Sequence, residues 1–339
     1  MKKVIVFFLV LALCVTGVFA AGGRDRAGQP IVVQIGLENH PGEPTTDAIY
    51  YWANLIGQMS GGAIEAQVFP SSQMGTKDQI IDQMLAGMAV ITLADGAFFA
   101  DRGAPDMGIT MGPFFFGNWE EAWNMVESNW WAQQARVLEG RGLKILASNW
   151  KYGERHTLTT RPIRTVADFR GLKLRVPTNN IQIRGTEVLG ASPTPLPLGE
   201  VYTALQQGVV DGVENPLAVL WGGRFHEIAK HLTLTSHIRL ITSWFTGTIW
   251  FNSLSREHQE IMVESARRAG LHNNMLVDRA EAALLDDFRR EGVEIINIDI
   301  AALQRQAEPF YSLPEFRNIW SAGIIEATTR ARAGLDRVR

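Results

Sequence analysis

Residues 63–93 read AIEAQVFPSSQMGTKDQIIDQMLAGMAVITL. Ile64, Ala66 and Val68 alternate with other positions across Ala63–Phe69, the pattern of a half-buried strand. Gly75 opens a helix and Gly87 closes it, in the position where helices favour glycine. Val90–Leu93 is a short apolar run suited to a buried strand. Upstream, Ile31–Gly36 reads as another strand. Asn39-His40-Pro41-Gly42 reads as a loop entering a helix from about Thr45 to Met59. The order β-α-β-α-β predicts a parallel sheet with helices packed on it, an α/β architecture.

Further along, the spacing of Trp123, Val126, Trp130 and Leu138 predicts one helix over Glu120–Glu139. Strands are expected at Leu143–Ala147, Leu172–Val176 and Val209–Val213, with a helix over Glu200–Gln207 closed by Gly208. Thr165-Val166-Ala167-Asp168 has the spacing of a capping box, heading a one-turn helix that stops at Gly171. Ser255 to Arg290 contains no proline and only Gly270 as a breaker, with Ser255 as N-cap and Arg289 and Arg290 at the negative end. At 1.5 Å per residue such a helix is about 54 Å long, more than a small domain is wide. It is expected to span two lobes.

A chain of 339 residues suggests roughly two domains. Lys2 and Lys3, the apolar run Val4–Val18 and the small residues Ala20 and Ala21 form a secretory signal, so residues 1–20 are read as removed on export. Leu11-Ala12-Leu13-Cys14 also resembles a lipidation box, and Cys14 is a possible lipid anchor. That single cysteine excludes an internal disulfide framework and a thiolate metal cluster. With 32 Lys+Arg against 35 Asp+Glu, the net charge of -3 offers no footprint for nucleic acid. The expected product is soluble, periplasmic and monomeric.

Enzyme signatures fail. There is no Gly-x-Ser-x-Gly elbow, no Gly-x-Gly-x-x-Gly and no phosphate loop. His226 and His231 are five residues apart, about 140° around a helix, and cannot grip one metal from the same face. Asp286-Asp287 and Glu120-Glu121 read as solvated helix faces. No cofactor or metal is expected, and no catalytic residue.

Arginines carry what chemistry there is. In Leu172-Lys173-Leu174-Arg175-Val176-Pro177, alternation sets the leucines and valine opposite Lys173 and Arg175. Arg175 stands at the carboxyl end of its strand, the edge beyond which open α/β sheets bind ligands. Its planar fork grips a carboxylate bidentately, and an ordinary surface salt bridge is an equal reading of the strand geometry. Arg155 follows a turn-rich stretch and reads by default as exposed. Asn215, before Pro216, could donate to a carboxylate but reads better as a turn cap.

At these residues the chain resembles a known family. Gly171–Pro177, the run Gly190-Ala191-Ser192-Pro193-Thr194-Pro195, Glu200–Pro216 and Phe69–Gly75 look like the substrate-binding subunits of tripartite ATP-independent periplasmic (TRAP) transporters, of the dicarboxylate-binding type. The resemblance implies a two-lobed periplasmic binding protein fold with a hinge and a long helix spanning both lobes. Residues 24–152 and 240–280 would form lobe I, and 153–239 and 281–339 lobe II. It also implies a receptor that closes on a small organic or sugar acid and delivers it to a membrane permease. Arg175 falls on the family's carboxylate clamp, Arg155 on an assisting arginine, and Asn215 on the asparagine supporting the same carboxylate. Asp95 and Asn39 fall on first-lobe positions that touch the rest of the solute. Gly75-Thr76-Lys77 departs from relatives that carry carboxylates after the glycine. Trp150 and Trp244 would wall the cleft if they face it, with core packing as the other reading. Remaining alternatives are a receptor for an ABC importer or sensor kinase, a receptor for a neutral or cationic solute, and an exported enzyme.

Overall fold

The computed structural model describes residues 29–337. The signal segment and Cys14 lie outside the described residues. Among the described residues nine strands form one sheet: β1 Ile31–Gly36, β2 Ile64–Phe69, β3 Val90–Ala94, β4 Leu143–Thr159, β5 Lys173–Val176, β6 Ser192–Pro195, β7 Gly212–Pro216, β8 His231–Gly247 and β9 Glu294–Asn297. Their order is β2-β1-β3-β8-β4-β7-β5-β6, with β9 beside β8. β1 is parallel to β2 and β3 at one end, and β5 is parallel to β6 and β7 at the other. The expected β-α-β-α-β opening is therefore present, with helices at Pro44–Met59 and Lys77–Leu85 between its strands.

Two strands join the halves. β4 and β8 are each 17 residues long and antiparallel to one another, about three times an ordinary strand. The leading half of β4 and trailing half of β8 pair beside β3, whereas their other halves pair beside β7 and β9. Their register slips at four places, one of them between Lys151 and Gly153. Such irregularities bend a ladder and interrupt its pairing. Gly153 has φ +130, and a Cβ there would lie 2.8 Å from both Pro216 Cβ and Glu281 Oε1. Glycine is thus required where the strand bends under the long helix.

That helix runs Arg256–Arg290, capped by the Ser255 side chain, which accepts from the His258 N–H. It packs on Pro44–Met59 of the first half and on Leu217–Gly222 of the second, crossing β4 between them. The second half keeps a small core of its own around Phe169, Leu172, Leu174, Leu189, Ile298 and Leu303.

Local expectations fail where tertiary contacts intervene. The single helix over Glu120–Glu139 is two, Trp119–Val126 and Asn129–Glu139, because Ser128 accepts from the Trp131 N–H and starts a new cap. The strand at Leu143–Ala147 continues to Thr159, and the one placed at Val209–Val213 occupies Gly212–Pro216. The last helix, Ile324–Arg332, packs on Trp119–Val126 and Asn129–Glu139. The chain's end thus returns to the first half, and does not stay with the second as the lobe assignment expected.

Candidate functional site

The carboxyl ends of the parallel strands converge on one cleft between the halves. Glu38 follows β1, Asp95 follows β3, Arg175 closes β5, and Asn215 lies near the end of β7. Thr76 and Lys77, at the start of the helix Lys77–Leu85, join them, with Tyr152 and Arg155 from β4 and Thr242 from β8. The pocket encloses about 550 Å³ including its mouth.

Arg175 is 3% exposed. Its Nε and Nη2 donate to the Leu196 carbonyl at 2.9 and 2.6 Å, which leaves Nη1 uncommitted. No carboxylate among the described residues comes within ion-pairing distance. Burial pushes its pKa down to about 10, against the attraction of Glu38 and Glu214. Burial of a charge without an ion partner is costly, so a ligand anion has much to offer here. Asn215 is also buried and lines the pocket, yet its amide makes no hydrogen bond within the described residues. The helix that follows has no side-chain cap, so Asn215 does not cap the turn.

Arg155 lines the pocket without being free. Its Nε and Nη2 grip the Glu214 carboxylate at 2.5 and 2.6 Å, both side chains being 3% exposed. Burial would raise the Glu214 carboxyl, but Arg155 overcomes this and holds it at about 2. Burial likewise opposes the Arg155 charge, and Glu214 more than offsets it, leaving the guanidinium more basic than usual. The exposed position expected from the turn-rich sequence is therefore wrong, since β4 carries Arg155 through the middle of the sheet.

In the first half, the Asp95 Oδ1 accepts from the N–H groups of Ala97 and Phe98, capping the helix Gly96–Asp101. Burial raises its carboxyl, against the pull of Arg155 and Lys77. Lys77 stands 3.2 Å from Glu38 and donates to the Leu93 carbonyl at 2.9 Å. Burial alone would raise Glu38, but Lys77 and Arg175 bring it below its ordinary value. Glu38 also accepts from the Leu198 N–H of the opposite half at 3.3 Å, so it touches both walls.

Three expected residues lie elsewhere. Asn39 does not line the pocket. Its amide donates to Glu43 at 2.6 Å and to the Tyr152 hydroxyl at 2.8 Å, one layer behind the wall. Trp150 and Trp244 are fully buried against Trp52, with ring centroids 5.2 to 5.9 Å apart. They are core residues and not cleft walls, because their positions on the central strands turn them beneath the helices Pro44–Met59 and Arg256–Arg290. Conversely, the sequence raised no expectation for Glu38, Tyr152 or Glu214, and Lys77 entered only within Gly75-Thr76-Lys77, where the chain departs from relatives that carry carboxylates. Glu38 carried the same signal as Arg175, a position at the carboxyl end of a parallel strand.

Two lobes joined by continuous strands, with a buried cation at the cleft between them that has no carboxylate partner among the described residues, define a hinged receptor for a small anionic solute. Residues 35–316 match the model of the bacterial extracellular solute-binding protein family 7, DctP. The chain belongs to that family, the solute receptors of TRAP transporters, which are periplasmic. It is similar to the 2,3-diketo-L-gulonate-binding periplasmic protein of Escherichia coli, 30% identical over 84% of this chain and 86% of that protein. Among solved structures it resembles a TRAP periplasmic solute binding protein from Ochrobacterium anthropi with bound L-fuconate. There the TM-score is 0.85 and the identity 35%, covering 90% of this chain and 99% of the other. It also resembles one from Actinobacillus succinogenes with bound L-galactonate, at TM-score 0.84 and 31% identity over 89% and 99% of the two chains. Members of the family are receptors and not enzymes, and membership favours a TRAP permease over an ABC importer or sensor kinase as the receiving partner. No helix among the described residues is long and apolar enough to cross a membrane.

Proposed function

We propose that this receptor binds a small sugar acid through its carboxylate and carries it, chemically unchanged, to the TRAP permease in the membrane. The observation that carries this reading is Arg175, a buried guanidinium with no carboxylate partner among the described residues and one uncommitted nitrogen. Asn215, whose amide is equally unengaged, supplies a second donor for the same carboxylate, and Arg155 lends charge from its pair with Glu214. The sugar acids named for the relatives above agree with an arginine clamp facing a polar wall.

Lobe I then comprises residues 24–152 and 240–280, and lobe II 153–239 and the segment from 281, with the C-terminal helix returning to lobe I. The slip between Lys151 and Gly153 supports a hinge there. Closure brings the Leu198 N–H to Glu38 and the Thr178 hydroxyl to Asp78 at 3.2 Å. A solute that contacts both walls binds the closed form better and shifts the equilibrium towards it. Residues 1–20 direct export, and the receptor acts as a monomer.

A thermal-shift screen tests the reading. L-Fuconate, L-galactonate, 2,3-diketo-L-gulonate and other organic acids are compared with neutral sugars and amines. An acid at about 100 times its Kd adds about 2.7 kcal/mol of stability. Stabilisation by neutral or cationic solutes, with no response to any acid, would overturn the proposal.

A further inference from the structure

The charges lining the cleft are unevenly committed. Lys77 is held by Glu38, Arg155 by Glu214, and Asp78 by Arg102 at 2.7 Å. Among the described residues of the lobe II wall, Arg175 alone is a cation without a carboxylate. Facing it across the cleft are the carboxylates of Glu38 and Asp95. Glu38 is only 12% exposed and engages Lys77 and the Leu198 N–H through different oxygens. The cleft is therefore bipolar, with one open cationic place and the carboxylates of Glu38 and Asp95 among the groups opposite.

We propose that the receptor takes solutes carrying a single anionic group, and that Glu38 is the residue that rejects a second one. This rests on the carboxylate-clamp reading above and deepens it. With the solute carboxylate on Arg175 and Asn215, the far end of a six-carbon chain meets the lobe I wall. A hydroxyl there donates to a carboxylate oxygen and regains the hydrogen bond it gave up in leaving water. A methyl group neither gains nor loses much. A second carboxylate meets the charges of Glu38 and Asp95 there, and the lysine on that wall is already neutralised by Glu38. Like charges about 5 Å apart in a partly dry cleft repel enough to cost about 100-fold in affinity.

A matched series isolates the effect, since L-fuconate, L-galactonate and galactarate share one carbon chain and differ at its end as methyl, hydroxymethyl and carboxylate. Calorimetric titration of the wild-type receptor is expected to give comparable binding of the first two, and galactarate weaker by about 100-fold. In Glu38→Gln, Lys77 is released to meet the second carboxylate, and the gap should narrow to about tenfold or less through tighter galactarate binding. Wild-type binding of galactonate and galactarate within about threefold would overturn the proposal, as would full discrimination retained by Glu38→Gln. Should that variant fail to fold or to bind galactonate, Glu38→Ala, which removes the same carboxylate and also frees Lys77, is held to the same criteria. Failure of the clamp reading looks different: none of the three acids would titrate the wild-type protein, and both readings would fall together.

Discussion

Replacing Arg175 by lysine keeps a positive charge in the cleft and removes the fork. The native guanidinium does two things at once: Nε and Nη2 hold the Leu196 carbonyl at 2.9 and 2.6 Å, and Nη1 remains for a solute. An ammonium is a point donor and cannot reach in both directions with the same geometry. A hydrogen bond to a charged group contributes about 1.5–3 kcal/mol, and a stranded buried carbonyl costs about 1–3 kcal/mol. Arg175→Lys should therefore lose about 2–4 kcal/mol of binding, or about 30- to 1000-fold in Kd. A second signature comes from burial, which already drives the arginine down to about 10. The same environment acting on a less basic lysine moves it towards neutrality. The variant's binding should thus weaken further between about pH 7 and 9, while the wild type stays flat. Calorimetric titration with L-galactonate or L-fuconate at the two pH values measures both effects. A Kd within about fivefold of wild type, or parallel pH profiles, would refute the reasoning.

Asn215→Ala should weaken solute binding by about tenfold, one lost hydrogen bond. The unliganded melting temperature should stay nearly unchanged, because that amide has no partner within the described residues. Glu43 is buried, accepts from Asn39 and the His40 N–H, and is raised by burial from the usual 4.5 to about 7. A raised carboxyl gives stability that is fully present below about pH 4.5 and lost as pH rises through about 7. Denaturant titrations should thus show the protein weaker at pH 8 than at pH 4.5 by about 3 kcal/mol from this group. Glu43→Gln should flatten that slope, and an unchanged slope would assign the pH dependence elsewhere. Trp150→Ala empties a core site between Trp52 and Trp244 and removes the bond that its indole N–H donates to the Ala266 carbonyl at 2.9 Å. It should cost about 3–5 kcal/mol in denaturant unfolding. The folded fraction should bind solute normally, and a selective loss of affinity would restore Trp150 to the cleft.

The order of the first strands and helices, the capping box at Thr165 and Asp168, and the long helix from Ser255 were all legible in the sequence. Each is a local pattern, written in spacing and side-chain chemistry within a few turns of chain. The place of Arg175 was legible for the same reason: the strand's alternation and Pro177 put it at the carboxyl edge of β5. The tertiary structure alone decided which groups meet there. Arg155 is drawn from an apparent surface turn to Glu214, 59 residues away, because β4 and β7 pair. Trp150 and Trp244 come together from 94 positions apart, and only the covering helices bury them. Glu38 gains its part when the Leu198 backbone of the opposite lobe comes within reach. Periodicity records which face of an element avoids water, whereas the partner opposite that face is set by topology and hinge closure, which no local pattern encodes.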